Sequence, residues 1–126
     1  MATILVVDDD PMVRGLAAKI LEAAGHQVVQ ASNGLQGLLV YESYASRIDI
    51  VLTDVDMPQL NGVEMAHRIR ATHPDSKVVF MSGGIPASVA ALPASCAFVS
   101  KPFRAAGLVS AVEEAIGGAD RGPRAR

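Results

Sequence analysis

Apolar residues fall along this chain in two alternating patterns. Thr3–Val7, Asp49–Thr53 and Lys77–Ser82 are short, continuous and rich in β-branched residues. Runs of that kind suit strands covered on both faces, as in a parallel sheet. Gln27–Ala31 and Ala97–Ser100 carry a weaker form of the same signal. Between these runs the apolar positions recur at three and four. In Pro11–Ala24 they are Met12, Val13, Leu16, Ala17, Ile20 and Leu21, with Asp10 as N-cap, Pro11 at the first helical position and Gly25 as stop. A second helix starts at Ser32-Asn33-Gly34 and carries Leu35, Leu38 and Leu39. A third spans Gly62–Thr72, with Val63, Ala66 and Ile69 on one face. The last spans Arg104–Ile116 and is expected to stop at Gly117-Gly118. Gly83–Ser95 holds two glycines and two prolines, so its helix is expected to be short, about Ala87–Leu92. Five strand–helix repeats predict an α/β fold, a doubly wound parallel sheet with helices on both faces and right-handed crossovers.

The bulk numbers bound what such a fold could do. A chain of 126 residues suits one domain, expected over residues 1–118, with a flexible tail at 119–126. Half the residues are apolar but only 4% are aromatic, so the core must be aliphatic. The net charge of −2 argues against direct nucleic-acid binding, which usually shows a basic stripe. Arg121, Arg124 and Arg126 read as a solvated tail. Cys96 is the only cysteine, which fits a reducing compartment. No leader pattern and no apolar run of about 20 residues is present, so the expected location is the cytoplasm, with no membrane insertion. His26, His67 and His73 read as solvent-facing.

In an open parallel sheet, ligands bind beyond the carboxyl ends of the strands. The first strand ends in Asp8, Asp9 and Asp10, the third in Asp54 with Asp56 two residues on, the fourth in Ser82, the fifth before Lys101. Strands one and three should be close, so their carboxylates should meet. Two carboxylates about 4 Å apart repel by about 4 kcal/mol at an effective dielectric of about 20. Protonation or a cation relieves this. Oxygen donors without His or Cys select Mg²⁺, with Mn²⁺ as the alternative. Lys101 offers a fixed positive charge and Ser82 a hydroxyl donor for an anion. Asp54, between them and the metal, is then a candidate nucleophile for phosphoryl transfer, which asks a protein mainly for position and charge compensation.

The chain resembles the response-regulator receiver family over about residues 3–116. The motifs are Ile4-Leu5-Val6-Val7-Asp8-Asp9-Asp10, Leu52-Thr53-Asp54-Val55-Asp56-Met57-Pro58, Asn61-Gly62, Phe80-Met81-Ser82-Gly83 and Phe98-Val99-Ser100-Lys101-Pro102-Phe103. The resemblance implies a flavodoxin-like fold with strand order 2-1-3-4-5. It also implies that Asp54 is the phosphoacceptor and that Asp9 and Asp54 ligate Mg²⁺ through side chains. Asp8 acts partly through water, and Asp56 gives its backbone carbonyl. Lys101 pairs with phosphoryl oxygens, Ser82 is the switch hydroxyl, and Phe98 turns inward with it. The Lys101-Pro102 bond is often cis in this family. The implied partner is a sensor histidine kinase or a histidine phosphotransfer protein.

Three features depart from the family pattern. Position 98 is Phe where Tyr is common, so no hydroxyl is available to signal outward. Asp56 adds negative charge near the metal and is expected to alter phosphoryl lifetime. The stretch from Ser82 to Lys101 is short, so the fourth helix is expected to be stunted, as in receivers attached to hybrid kinases. The chain is expected to be a stand-alone receiver or one excised from a hybrid histidine kinase, phosphorylating and dephosphorylating itself. The alternative is a haloacid-dehalogenase-type aspartyl phosphatase, suggested by Asp54-Val55-Asp56. That motif, however, normally ends the first strand and leaves Asp8 and Asp9 without a role.

Overall fold

The computed structural model describes residues 2–83 and 97–124, with residues 118–124 through their backbone only. Five strands form one sheet: β1 (Thr3–Val7), β2 (Gln27–Ala31), β3 (Ile50–Asp54), β4 (Val78–Ser82) and β5 (Ala97–Ser100). Every pairing is parallel, and the spatial order is β2-β1-β3-β4-β5. This is the flavodoxin-like order, and among the described residues four helices flank the sheet: α1 (Pro11–Ala23), α2 (Gly34–Tyr44), α3 (Gly62–Thr72) and α4 (Ala105–Arg124). The short helix expected at Ala87–Leu92 lies outside the described residues, as does Cys96.

Period-two alternation on the strands sorts the core into two layers. Ile4, Val6, Ile50, Leu52, Val79 and Met81 face Ala17 and Leu21 of α1 and Leu108 and Val112 of α4. Leu5, Val7, Val51, Val78 and Phe80 face Tyr41 of α2 and Met65, Ala66 and Ile69 of α3. Both β3 and β4 are buried along their whole length, which explains why their sequences are continuous rather than alternating. Each fully buried Val, Leu, Ile or Phe contributes about 1.5–3 kcal/mol over its exposed state.

The helix ends follow their local chemistry. The Asp10 side chain accepts from the N–H groups of Met12 and Val13, with Pro11 next to it at the start of α1. Asn33 and Asn61 do the same for α2 and α3, accepting from Gln36 N–H and Glu64 N–H. Gly25, at φ +97°, turns the chain out of α1 through a left-handed conformation that a side chain would strain. At the other end of the chain, α4 does not stop at Gly117-Gly118 but continues to Arg124. A helical glycine costs about 1 kcal/mol relative to Ala, which weakens a helix without ending it. Lys77 Nζ donates to the Ile116 carbonyl at 2.7 Å, tying this helix to the start of β4.

Periodicity alone does not give the buried face of each helix. Met12 and Leu16 of α1 are 83% and 52% exposed, and Leu35 and Leu39 of α2 are also exposed. Of the six periodic positions of α1 only Ala17 and Leu21 are fully buried, together with Ala18. The histidines also differ from expectation. His26 keeps only 8% of its side chain exposed, accepting from Ala2 N–H at Nδ1 and meeting Glu113 Oε2 at 3.1 Å through Nε2. His73 is half-buried, with its ring edge-on to Tyr41. His67 is exposed as expected.

Candidate functional site

The parallel register brings the strand ends to one rim. Val7 pairs with Thr53, Asp54 with Met81, and Ser82 with Ser100. The residues that follow β1 and β5, Asp8 and Lys101, therefore arrive beside Asp54. Asp8 is fully buried, Ser82 is 1% exposed and Asp54 is 7% exposed, while Asp9 and Asp56 face solvent. One carboxylate oxygen each from Asp8, Asp9 and Asp54 lies within 4.8 Å of the others. Among the described residues this is the only cluster of three or more potential ligands with such spacing.

Lys101 Nζ donates to Asp8 Oδ2 at 2.8 Å and lies 3.4 Å from Asp54 Oδ1. The lysine is placed by its own N–H, which donates to the Ser82 carbonyl at 2.7 Å; the Lys101-Pro102 bond that follows is cis. Burial pushes the Asp54 carboxyl up to about 6, Lys101 opposes the rise, Asp8 adds to it, and a hydrogen bond from the Asp56 N–H opposes it. For Lys101, burial acts downward, but the hydrogen bond to Asp8 and the charges of Asp54 and Asp8 carry its ammonium above the ordinary value. The rim thus concentrates negative charge that one lysine does not neutralise.

These donors fit a hard divalent cation. They are all oxygen, which suits Mg²⁺ or Mn²⁺. Asp8 already has both side-chain oxygens engaged, Oδ1 by Asp10 N–H at 2.9 Å and Oδ2 by Lys101. Asp9, which is exposed, and Asp54 are the residues placed to offer oxygens directly.

Asp54 is held in place by its neighbours. Val55 N–H donates to Met81 O, and Gly62 N–H donates to Val55 O, both at 2.9 Å. The start of α3 therefore folds back on the end of β3, and a Cβ at Gly62 would run into the Asp54 carbonyl. That contact gives Asn61-Gly62 its physical meaning: one residue caps the helix and the next lets it approach. Between them and Asp56, Gln59 adopts φ 70°, an uncommon conformation for a side chain. Ser82 and Phe98 lie on adjacent strands, the hydroxyl residue buried and Phe98 37% exposed at the sheet edge. The region joining them is outside the described residues.

Sequence reasoning anticipated every residue of this rim but not what supports it. Arg14 was not singled out, yet its Nη1 donates to the Asp8 carbonyl at 2.9 Å. Its place at the fourth position of α1 was the available signal, since that turn lies beneath the acidic loop. A groove of about 310 Å³ also opens beside Lys101, lined by Val13, Leu16, Gly83, Pro102 and Phe103.

A parallel 2-1-3-4-5 sheet with an acidic cluster and a lysine at its carboxyl rim defines a receiver-type domain. Comparison with known proteins agrees. The response regulator receiver domain model matches residues 4–113, and the chain belongs to that family. It is 35% identical over 122 residues to the response regulator receiver protein CpdR of Brucella abortus, covering 92% of this chain and 98% of that protein. It is 36% identical over 118 residues to the sensor kinase CckA of the same organism, of which it spans only 12%. Among solved structures, a receiver domain protein from Clostridium thermocellum superposes with a TM-score of 0.87 at 29% identity, covering 95% of this chain and 98% of that one. The receiver domain of the hybrid histidine kinase CckA gives 0.78 at 30% identity, covering 91% and 99%. No described helix is long and apolar enough to cross a membrane.

Proposed function

We propose that this receiver domain accepts a phosphoryl group on Asp54 from a phosphohistidine donor, with a divalent cation bound at Asp9 and Asp54. The observation that carries this reading is the convergence of Asp8, Asp9 and Asp54 oxygens beside the Lys101 ammonium. An Asp54 oxygen attacks phosphorus, the P–N bond to the donor imidazole breaks, and the electron pair returns to that nitrogen. The product is an acyl phosphate on Asp54. Bound Mg²⁺ would supply charge compensation for the phosphoryl oxygens. Lys101, already 3.4 Å from Asp54 Oδ1, is placed to pair with one of those oxygens, and in doing so exchanges part of its bond to Asp8. Ser82, buried at the end of the neighbouring strand, is the hydroxyl that reads the modified state, with Phe98 as the aromatic that follows it. The modification then shifts the population between two conformations rather than creating a new one.

The donor needs a surface beside the rim. The groove of Val13, Leu16, Pro102 and Phe103, with exposed Met12 next to it in sequence, is apolar and adjoins Lys101. It suits a helix of a sensor histidine kinase or histidine phosphotransfer protein that carries the phosphohistidine. The phosphatase alternative has less support, because Asp54-Val55-Asp56 ends the third strand and Asp8 and Asp9 join Asp54.

Intact-mass measurement after treatment with acetyl phosphate tests the reading. The native protein should gain one phosphoryl group with Mg²⁺ and none with EDTA, and Asp54→Ala should gain none. Equal labelling of Asp54→Ala and native protein would remove Asp54 from its role. Steady hydrolysis of a phosphate ester by catalytic amounts of protein would favour the phosphatase.

A further inference from the structure

All four polar groups of Asp8 have partners. Its N–H donates to Ala31 O at 3.2 Å, Oδ1 accepts from Asp10 N–H, and Oδ2 accepts from Lys101. Its carbonyl accepts from Arg14 Nη1 at 2.9 Å. The same guanidinium reaches the edge of the sheet, where Nε donates to Gln30 Oε1 of β2 at 3.2 Å. Arg14 N–H, meanwhile, closes the first turn of α1 on the Asp10 carbonyl at 2.9 Å. One side chain of α1 therefore ties the start of the Asp8-Asp9-Asp10 loop, at the Asp8 carbonyl, to Gln30 of β2.

We propose that Arg14 is a positioning residue for the metal, with Gln30 as the anchor that aims it; this rests on the phosphoryl-acceptor reading above. Three consecutive carboxylates repel one another and tend to splay the loop that carries them. The Arg14 fork opposes this by holding the Asp8 carbonyl. The next peptide leads to Asp9, so its carboxylate is presented toward Asp54 instead of outward. The planar guanidinium matters as well as its charge. Its N–H groups diverge at fixed angles and reach Asp8 and Gln30 together, whereas a lysine ammonium offers no such fork. Partners outside the ligand set orient the ligands, and their loss typically weakens metal binding by about 10–100-fold.

The test is Mg²⁺ affinity by isothermal titration calorimetry on the full chain, for native protein, Arg14→Met, Arg14→Lys, Gln30→Ala and Gln30→Glu. Both Arg14 variants should bind Mg²⁺ about tenfold or more weakly. Gln30→Ala should weaken binding in the same direction, although Gln30 is an exposed edge-strand residue outside the acidic cluster. Gln30→Glu, which still accepts from Nε, should stay close to native. Urea unfolding in EDTA should leave Gln30→Ala near the native midpoint, which separates aim from stability. Native affinity in Arg14→Lys with tighter binding in Arg14→Met would show a purely electrostatic effect and overturn the proposal. Native affinity in Gln30→Ala would overturn the anchor. A native protein that neither binds Mg²⁺ nor gains a phosphoryl group would instead refute the underlying function, whatever the variants do.

Discussion

Removing the charge of Asp54 should make the metal-free protein more stable, and only above the range in which that carboxyl titrates. Burial raises the group from 3.8 to about 6 in the fold. Between those values the folded state holds a proton that the unfolded chain has released. Stability therefore falls as pH rises through that window, and the full cost is present above it. Two units correspond to about 3 kcal/mol as an upper bound. The carboxylate keeps 10% of its side chain exposed on an open rim, where solvent screens it, and this brings the net cost to about 1–2 kcal/mol. Asp54→Asn keeps the shape and removes the charge. Lys101 retains Asp8 at 2.8 Å in either case. Urea unfolding in EDTA should show the variant more stable by about 1–2 kcal/mol at pH 8 and equal to native near pH 3.5. Saturating Mg²⁺ should close the gap at pH 8, because a ligand that binds only the folded state stabilises it by mass action and the variant lacks an anionic ligand. A variant no more stable than native at pH 8, or a gap unchanged by pH, would refute the idea that Asp54 carries the excess charge of the rim.

Other substitutions probe separate parts of the structure. Lys101→Ala leaves the fully buried Asp8 without its cation and should cost about 3 kcal/mol or more in urea unfolding, besides abolishing labelling by acetyl phosphate. Gly62→Ala places a methyl against the Asp54 carbonyl, so labelling should fall sharply and stability should drop by about 2 kcal/mol. Gln59→Gly relieves a left-handed residue and should raise stability by up to about 1 kcal/mol, read as a shift in the thermal midpoint. Leu16→Glu, at an exposed position lining the groove, should slow transfer from a histidine-bearing donor while leaving acetyl phosphate labelling unchanged. Equal loss with both donors would place its effect in the fold instead of in docking.

What the chain determines locally can be read from it directly. Continuous apolar runs marked β1, β3 and β4 because a strand buried on both faces has no polar face to alternate. Asp10 and the Ser32-Asn33-Gly34 run marked helix starts because a capping oxygen acts within three residues, whereas the cap at Asn61 emerged only in the fold. The alternation of elements placed Asp8, Asp9, Asp54, Ser82 and Lys101 at strand ends, and a parallel sheet puts all such ends on one rim. Tertiary structure decided what depends on distant partners. Which side chains of α1 face the sheet depends on the elements it packs against, which its own period cannot specify, and Met12 and Leu16 end up outward. His26 is sequestered by Ala2 and by Glu113, a residue 87 positions away, so no local pattern marks it as buried. The passage of α4 through Gly117-Gly118 shows that a breaker acts as a cost of about 1 kcal/mol per glycine, not as a boundary. Arg14 and Gln30 meet because β2 lies next to β1 and α1 begins where β1 ends. Pairing across a sheet is a property of the assembled chain, whereas the order of strands, caps and acids is already present in the residues.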